Sequence, residues 1–242
     1  MTATNQTVRL KVPKPHAKQR LIYDCQSRFI VARCGRRFGK SKFIPVKRLK
    51  TMLNGGPVGY FAPTYKMLGQ FWRETKSMLA PVTKHVSTQD HRLEFIGGGS
   101  YSMWSLDSPD SVRGQKYAAI DVDEAAMIPE LEEAWNAVLR PTIMDFSGDA
   151  GFWSTPKGLN YFHTLASRGS DDAYPEWSEF HFTSYDNPYI QDSEIDDLKA
   201  DTPEDIVKQE IYAEFIQGEG AVFRNITANL IKEKDEKGNP TT

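Results

Sequence analysis

The segment 34–41, Cys-Gly-Arg-Arg-Phe-Gly-Lys-Ser, restricts the possible folds of this chain more than any other feature. It follows the apolar run 29–32 and precedes a helix-compatible segment, which is the order that a phosphate-binding loop requires. Such a loop holds phosphates with backbone N–H groups that converge at a helix N-terminus. In this interpretation Gly39 allows a close approach of the backbone, Lys40 contacts the β- and γ-phosphates, and Ser41 coordinates Mg²⁺.

Cys34 stands where the usual spacing of such a loop has its first glycine. A side chain at this position restricts the turn, and we expect the neighbouring Gly35 to adopt the unusual backbone dihedral angles. The altered loop leaves two possibilities open. It either supports hydrolysis or binds a nucleotide without turnover.

The segment 117–124 is typical of a buried strand that ends in two carboxylates, Asp123 and Glu124. In a parallel sheet, the tip of this strand opens onto the same edge as the phosphate loop. The sequence therefore predicts that Asp123 holds the Mg²⁺ ion and that Glu124 polarises the water that attacks the γ-phosphate. The alternative is that both residues only cap a helix that begins near residue 128. Asp121 fits poorly, because its charge lies on the same strand face as Asp123.

Gln19 lies on a short predicted helix, 14–23, just upstream of the loop strand. A glutamine amide can pair with the N6 and N7 edge of adenine, so Gln19 is a candidate for reading the base. A polar residue on an amphipathic helix is an equally open interpretation.

Ser154, Thr155 and Pro156 follow a further apolar strand that begins at residue 151. A strand that ends in Ser-Thr beside the carboxylate strand can sense whether a γ-phosphate is present. An ordinary polar turn is the alternative.

Composition favours an α/β domain with an appendage in this chain of 242 residues. Two cysteines, Cys25 and Cys34, form neither a metal cluster nor a disulfide framework, and no run approaches the roughly 18 apolar residues of a membrane span. The net charge is only −2, but no acidic residue occurs between Asp24 and Glu74, where lysines and arginines are frequent. This basic stretch is either a consequence of the phosphate loop or a DNA-binding stripe.

The C-terminal part of the chain changes in composition after residue 185. We predict an α/β core over residues 1–185, a small helical lid and linker over 186–225, and a flexible charged tail over 226–242. Within the lid, Thr202 is expected to cap a helix that begins at Pro203.

These motifs together resemble one family, the ATPase domain of the large terminase subunit of tailed bacteriophages. The resemblance rests on Gln19-Arg20, on the loop 34–41, on the block from Arg113 to Ala125, and on the segment 154–160. The segments 186–188 and 212–223 also resemble the lid of that family and the approach to its second domain.

The resemblance implies a P-loop NTPase fold of the ASCE type, with a mainly parallel central sheet flanked by helices and a small C-terminal helical lid. It implies ATP and Mg²⁺ as cofactors, and the function of a motor that couples ATP hydrolysis to translocation of double-stranded DNA into a procapsid. The expected partners are double-stranded DNA, a portal protein, a small terminase subunit and further copies in a homo-oligomeric ring. The expected location is the host cell cytoplasm, with no membrane association.

The resemblance also assigns roles to residues. Glu124 is the catalytic carboxylate, Ser41 and Asp123 hold the metal, and Ser154, Thr155 and Pro156 couple hydrolysis to movement. Either Arg36 or Arg37 senses the γ-phosphate in cis, and either Arg73 or Arg113 acts in trans on the ATP of a neighbouring subunit. The ATP-binding residues are expected to be Gln19, Cys34, Gly35, Arg36, Arg37, Phe38, Gly39, Lys40 and Ser41.

Large terminase subunits usually continue into an RNase H-like nuclease domain, whereas this sequence stops about twenty residues after Gly220. We therefore expect ATP hydrolysis without DNA cleavage. Two other functions remain open: a helicase-like ATPase that acts on another polymer, and a nucleotide-binding adaptor with little turnover.

Overall fold

The computed structural model describes residues 8–217. Its centre is an eight-stranded sheet with the spatial order β3-β4-β5-β2-β6-β7-β1-β8. The strands are β1 (Phe29–Cys34), β2 (Pro57–Ala62), β3 (Thr83–Ser87), β4 (Arg92–Phe95), β5 (Ser100–Ser105), β6 (Ala119–Asp123), β7 (Asp149–Ser154) and β8 (Trp177–Phe182).

Helices cover both faces of the sheet and form the C-terminal part of the described chain. They are α1 (Ala17–Asp24), α2 (Lys40–Leu53), α3 (Tyr65–Leu79), α4 (Leu131–Glu133), α5 (Arg140–Thr142), α6 (Tyr161–Gly169), α7 (Asp192–Ala200) and α8 (Glu204–Glu210). A π-helical turn, Ala134–Leu139, joins α4 to α5. Within residues 8–217, no helix has the length and apolar character needed to cross a membrane.

The strand pairing confirms the predicted α/β fold with a mainly parallel sheet. Strands β5, β2, β6, β7, β1 and β8 pair in parallel, whereas β3 and β4 extend one edge as antiparallel strands. Strand β7 lies between β1 and β6. The loop after β1 and the chain segments after β6 and β7 therefore emerge side by side at one edge of the sheet.

The strands are apolar on both faces because both faces are covered. Along β1, Phe29 and Val31 belong to one core cluster, and Ile30 and Ala32 belong to the other. Side chains of α2 and α3 complete the second cluster, and residues of the 131–142 segment and of α6 complete the first.

A third, smaller cluster lies in the C-terminal helices. Ile195 of α7, Val207 of α8 and Ile211 pack together, with Tyr185 and Tyr212 against them. The described part of the predicted lid therefore has an apolar cluster of its own. The predicted tail over 226–242 lies outside the described residues.

Helix α2 begins at Lys40, with Gly39 at its N-cap. One local expectation differs from the structure. Thr202 does not cap α8, since its hydroxyl donates to the carbonyl of Leu198 and Pro203 holds the cap position. Strand β3 was not predicted from its sequence, because its residues are mostly exposed and show no apolar alternation.

Candidate functional site

The loop between β1 and α2 has left-handed backbone at two positions, Arg37 with φ +62° and Gly39 with φ +98°. The expectation that Gly35 adopts the unusual dihedral angles is therefore wrong. Gly35 is needed for space, because a Cβ atom there would lie 2.5 Å from the amide nitrogen of Ser184 and would collide with the carbonyl oxygen of Ile211.

Cys34 does not distort the loop, because it is the last residue of β1 and pairs with Phe182 of β8. Its side chain is fully buried in the core. This burial raises the pKa of the Cys34 thiol to about 12, so the side chain packs as a neutral group.

Lys40, the first residue of α2, meets residues that follow two different strands. Its Nζ atom lies 3.6 Å from Oε1 of Glu124, which follows β6, and donates to Oγ1 of Thr155, 3.3 Å away, which follows β7. The Lys40 side chain is buried and that of Glu124 is partly buried, so this contact brings an ammonium group and a carboxylate together at one edge of the sheet. The two motifs that the sequence separates therefore meet in one site.

The Asp123 carboxylate, at the end of β6, accepts three hydrogen bonds. Its Oδ2 atom accepts from Ser41 Oγ at 3.1 Å and from Tyr60 OH at 2.9 Å, and its Oδ1 atom accepts from the backbone N–H of Glu124 at 3.0 Å. Burial, followed by the charge of Glu124, raises the pKa of Asp123, and Lys40 opposes this rise. The hydroxyl of Ser41 and the carboxylate of Asp123 are hard oxygen donors of the kind that Mg²⁺ prefers, so this pair fits that ion.

Glu124 has φ +46°, a backbone conformation that is uncommon for residues other than glycine and that recurs at functional sites. The N-cap residues of the short 3₁₀ turn that follows, Ala125–Met127, and of the later helix α4 are Glu124 and Glu130, and neither makes a side-chain cap hydrogen bond. The alternative in which Asp123 and Glu124 serve only as helix caps is therefore wrong.

Ser154 and Thr155 lie beside Glu124, as expected for a segment next to the carboxylate strand. The Oγ atom of Ser154 lies 3.3 Å from Oε2 of Glu124, accepts from the N–H of Ala126 at 3.1 Å, and lies 2.7 Å from the carbonyl oxygen of Thr155. Pro156 is buried directly after them. The tip of β7 is thus hydrogen-bonded to the segment after β6.

A cavity of about 1050 Å³ opens over the loop and extends to α1. Gln19 lines it, and the side-chain amide is engaged at both ends: Nε2 donates to the carbonyl of Gly39 at 3.3 Å, and Oε1 accepts from the N–H of His16 at 3.2 Å. Phe38 is buried between the rings of His16 and Phe182, with centroid distances of 5.0 and 5.1 Å. Gln19 therefore contacts the loop itself.

The four candidate arginines fall into two groups. Arg36 and Arg37 are exposed at the cavity, and Arg36 pairs with Glu210 at 3.6 Å. Arg73 and Arg113 are also exposed but do not line this cavity, and Arg113 pairs with Asp110 at 2.7 Å.

Two contacts at the site did not follow from the sequence. The hydrogen bond from Tyr60 to Asp123 depends on β2 lying next to β6, and no local pattern encodes that order. Asn187 donates to the carbonyl of Arg37 at 2.6 Å, and its only signal was the resemblance of the segment around it to a terminase lid.

The fold and the site define a P-loop NTPase of the α/β class. A glycine-lysine-serine loop follows one parallel strand, two carboxylates lie at the end of another, and a third strand lies between the two. Comparison with known proteins narrows this class. The family model "Terminase large subunit, T4likevirus-type, N-terminal" matches residues 33–229. The chain belongs to this family, and the suspected resemblance is confirmed.

Relatives and solved structures agree with this assignment. The large terminase subunit of Escherichia phage T5 is 31% identical over 222 residues, covering 90% of this chain and 50% of that protein. The large terminase subunit of Thermus phage G20c is 26% identical, covering 93% of this chain and 53% of that protein. The chain thus spans about half the length of these relatives.

Among solved structures, the large terminase ATPase domain of Thermus phage P74-26 superimposes with a TM-score of 0.72 at 25% identity, covering 84% of this chain and 94% of that one. The large terminase of another thermophilic bacteriophage, in complex with ADP, gives a TM-score of 0.67 at 19% identity, covering 83% of this chain and 53% of that one. The fold is therefore that of large terminase ATPase domains.

Proposed function

We propose that this chain is the ATP-hydrolysing motor domain of a viral DNA-packaging terminase and that it couples hydrolysis to translocation of double-stranded DNA into a procapsid. The observation that carries the proposal is the convergence of Lys40 and Ser41 with Asp123 and Glu124 at one edge of the sheet. Family membership and the match to solved large terminase ATPase domains support it.

ATP occupies the cavity over the loop in this proposal, with its phosphates at the N-terminus of α2. The solved large terminase in complex with ADP supports nucleotide binding by this fold. Ser41 and Asp123 hold Mg²⁺, which when bound neutralises charge on the phosphate oxygens. Gln19 and the loop residues from Arg36 to Ser41, which line the cavity, form the rest of the binding site. Cys34 and Gly35, also expected to bind ATP, do not line the cavity and would support the loop from behind.

Glu124 orients and deprotonates the attacking water. Lys40 contacts Glu124 in the structure, and the same ammonium group can turn to a phosphate oxygen instead. A lysine engaged by phosphate leaves the Glu124 carboxylate free to accept a proton. The segment after β7 couples hydrolysis to movement in this proposal, through Ser154, Thr155 and Pro156. Ser154 is hydrogen-bonded to Glu124 and to the carbonyl of Thr155, so a shift of the Glu124 side chain would reach this segment.

The arginines have two roles in this proposal. Arg36 or Arg37, which line the cavity, senses the γ-phosphate within the chain. Arg73 or Arg113 contacts the ATP of a neighbouring subunit, and the exposure of both side chains away from the cavity supports a role in trans. Such an arginine requires assembly into a homo-oligomeric ring. In this proposal the ring binds a portal protein, the small terminase subunit and double-stranded DNA. It acts in the host cell cytoplasm.

The domain division also remains a proposal: residues 1–185 form the ATPase core and 186–225 the lid. The separate apolar cluster of Ile195, Val207 and Ile211 supports it. The contacts of Asn187 with Arg37 and of Glu210 with Arg36 support a lid that rests on the phosphate loop.

Steady-state phosphate release tests the proposal. Lys40→Ala and Glu124→Gln should each lower the rate by at least about 100-fold, because one removes a phosphate contact and the other the general base. The matched controls Lys84→Ala and Glu132→Gln alter exposed residues far from the loop in sequence and should keep the wild-type rate. A wild-type rate no higher than that of both site variants would favour the nucleotide-binding adaptor.

Duplex DNA separates the motor from a helicase-like enzyme. We expect duplex DNA to stimulate hydrolysis in a salt-dependent manner, without separation of its strands, since the contacts are to the phosphate backbone. Strand separation would favour the helicase-like alternative. The expectation that the chain does not cut DNA stays a prediction, which incubation of plasmid with the protein and Mg²⁺ or Mn²⁺ tests.

A further inference from the structure

Tyr60 has no part in the function proposed above, yet its hydroxyl reaches the centre of the site. It lies on β2, which pairs in parallel with β6, and its OH group donates to Oδ2 of Asp123 at 2.9 Å. Its side chain is only 2% exposed. A buried tyrosine hydroxyl on a strand that carries no part of either nucleotide motif thus contacts the proposed metal-holding carboxylate.

The other two donors to Asp123 cannot replace this contact. Ser41 donates to the same oxygen at 3.1 Å, but its hydroxyl is itself a proposed metal ligand. The backbone N–H of Glu124 donates to the opposite oxygen, Oδ1, at 3.0 Å. Tyr60 is the donor that fixes Oδ2 without also being needed by the metal.

The Tyr60 ring is fixed in place by packing, so its hydroxyl can fix the orientation of the Asp123 carboxylate. It stacks on Phe71 of α3 with ring centroids 3.6 Å apart and an interplanar angle of 2°. A tyrosine hydroxyl has an ordinary pKa of about 10, so it is protonated at neutral pH and can donate to the carboxylate.

We propose that Tyr60 is a positioning residue that orients the Asp123 carboxylate for the divalent cation bound with ATP. The inference rests on the proposed function, because it assigns Asp123 to the metal. Hydrogen-bond partners of metal ligands fix the ligand's orientation, and their loss typically costs about 10- to 100-fold in metal affinity.

Tyr101 on β5 provides a matched control. Its ring is also fully buried and lies 6.5 Å from that of Tyr60, centroid to centroid. Within residues 8–217, the Tyr101 hydroxyl has no hydrogen-bond partner. Tyr60→Phe and Tyr101→Phe therefore each remove one buried hydroxyl from neighbouring strands, but only the first removes a contact with Asp123.

Binding of Mn²⁺, followed by electron paramagnetic resonance in the presence of a non-hydrolysable ATP analogue, tests the inference on the full chain. We expect Tyr60→Phe to weaken Mn²⁺ binding by about 10-fold or more, and Tyr101→Phe to leave it unchanged. Affinity for a fluorescent ATP analogue in EDTA should be the same in all three proteins. Raising Mg²⁺ should restore the hydrolysis rate of Tyr60→Phe.

Equal Mn²⁺ affinity in wild type and Tyr60→Phe would overturn the inference, as would equal weakening in both tyrosine variants. A parallel loss of nucleotide affinity in EDTA by Tyr60→Phe would also overturn it, since that would show a general loss of packing. Failure of the wild type itself to bind Mn²⁺ with the analogue would instead overturn the proposed function.

Discussion

Arg48 of α2 donates two hydrogen bonds to the carboxylate of Asp121 of β6, from Nε to Oδ2 at 2.7 Å and from Nη2 to Oδ1 at 3.0 Å. Both side chains are almost fully buried. Asp121 also accepts from Nε1 of Trp153 at 2.8 Å, and Arg48 also pairs with Asp149. The charge that fits poorly in the carboxylate strand is therefore neutralised by a helix that begins at the phosphate loop.

This pair predicts a large loss of stability on truncation of Arg48. Arg48→Ala should lower the free energy of unfolding by about 3–5 kcal/mol, because it leaves the buried carboxylate of Asp121 without its charged partner. Lys50→Ala, which changes an exposed residue of the same helix, should have little effect. Urea denaturation of both variants measures the difference, and similar midpoints would contradict the prediction.

Asn187 should influence nucleotide binding through the loop that it holds. Asn187→Ala removes the hydrogen bond to the carbonyl of Arg37, a residue in left-handed conformation, and so loosens the loop. We expect an increase of roughly fivefold in KM for ATP, the equivalent of about 1 kcal/mol, with a smaller change in kcat. The exposed Asn136→Ala serves as the control, and an unchanged KM in Asn187→Ala would refute the role.

Two glycine substitutions should change different properties, the affinity for ATP in one variant and the free energy of unfolding in the other. Gly35→Ala places a Cβ atom against the backbone of Ser184 and Ile211, so it should push the lid from the loop and weaken ATP binding. Gly69→Ala, in α3, meets only the end of the Arg73 side chain at 3.7 Å and should stabilise the protein by about 0.5–1 kcal/mol.

Thermal unfolding and nucleotide titration of the two glycine variants distinguish these effects. Destabilisation by Gly69→Ala, or unchanged nucleotide affinity in Gly35→Ala, would contradict them.

Acid should weaken the attachment of α1 to the loop. His16 accepts from the N–H of Gln19 at 3.5 Å and contacts the carbonyl of Phe38 at 3.3 Å, an arrangement that suits a neutral ring. Burial lowers the pKa of His16 below its ordinary value of 6.5, and the Phe38 carbonyl and Asp186 oppose this. The unfolded chain therefore binds the proton more readily, and the stability from this group is present above about pH 6.5 and is lost as the pH falls through the lower folded-state pKa.

Urea denaturation at pH 7.5 and pH 5.5 checks this sign. The wild type should lose more stability on acidification than His16→Asn, which keeps a capping side chain but cannot titrate there. Equal losses in the two proteins would show that His16 does not contribute.

Much of the site could be predicted because its reactive residues lie in short segments of the sequence. The glycine, lysine and serine of the loop are adjacent in sequence, and Asp123 and Glu124 end an apolar strand, so strand tip and loop could be placed at one sheet edge. The same reasoning failed at Gly35, because the crowding there comes from Ser184 and Ile211, which are far away in the chain. The polar edge strand β3 was missed because it has no buried face to impose a pattern.

The sequence by itself determined the fold class and the segments of the loop and the strand ends, since each depends on neighbouring residues whose spacing matches a strand, a turn or a helix. Only the tertiary structure decided which side chains support them. Arg48 and Asp121 are 73 positions apart, Tyr60 and Asp123 are 63 apart, and Asn187 and Arg37 are 150 apart. Such partners meet only when the order of strands in the sheet is fixed, and that order results from burial of the whole sheet between its helices and not from any local pattern.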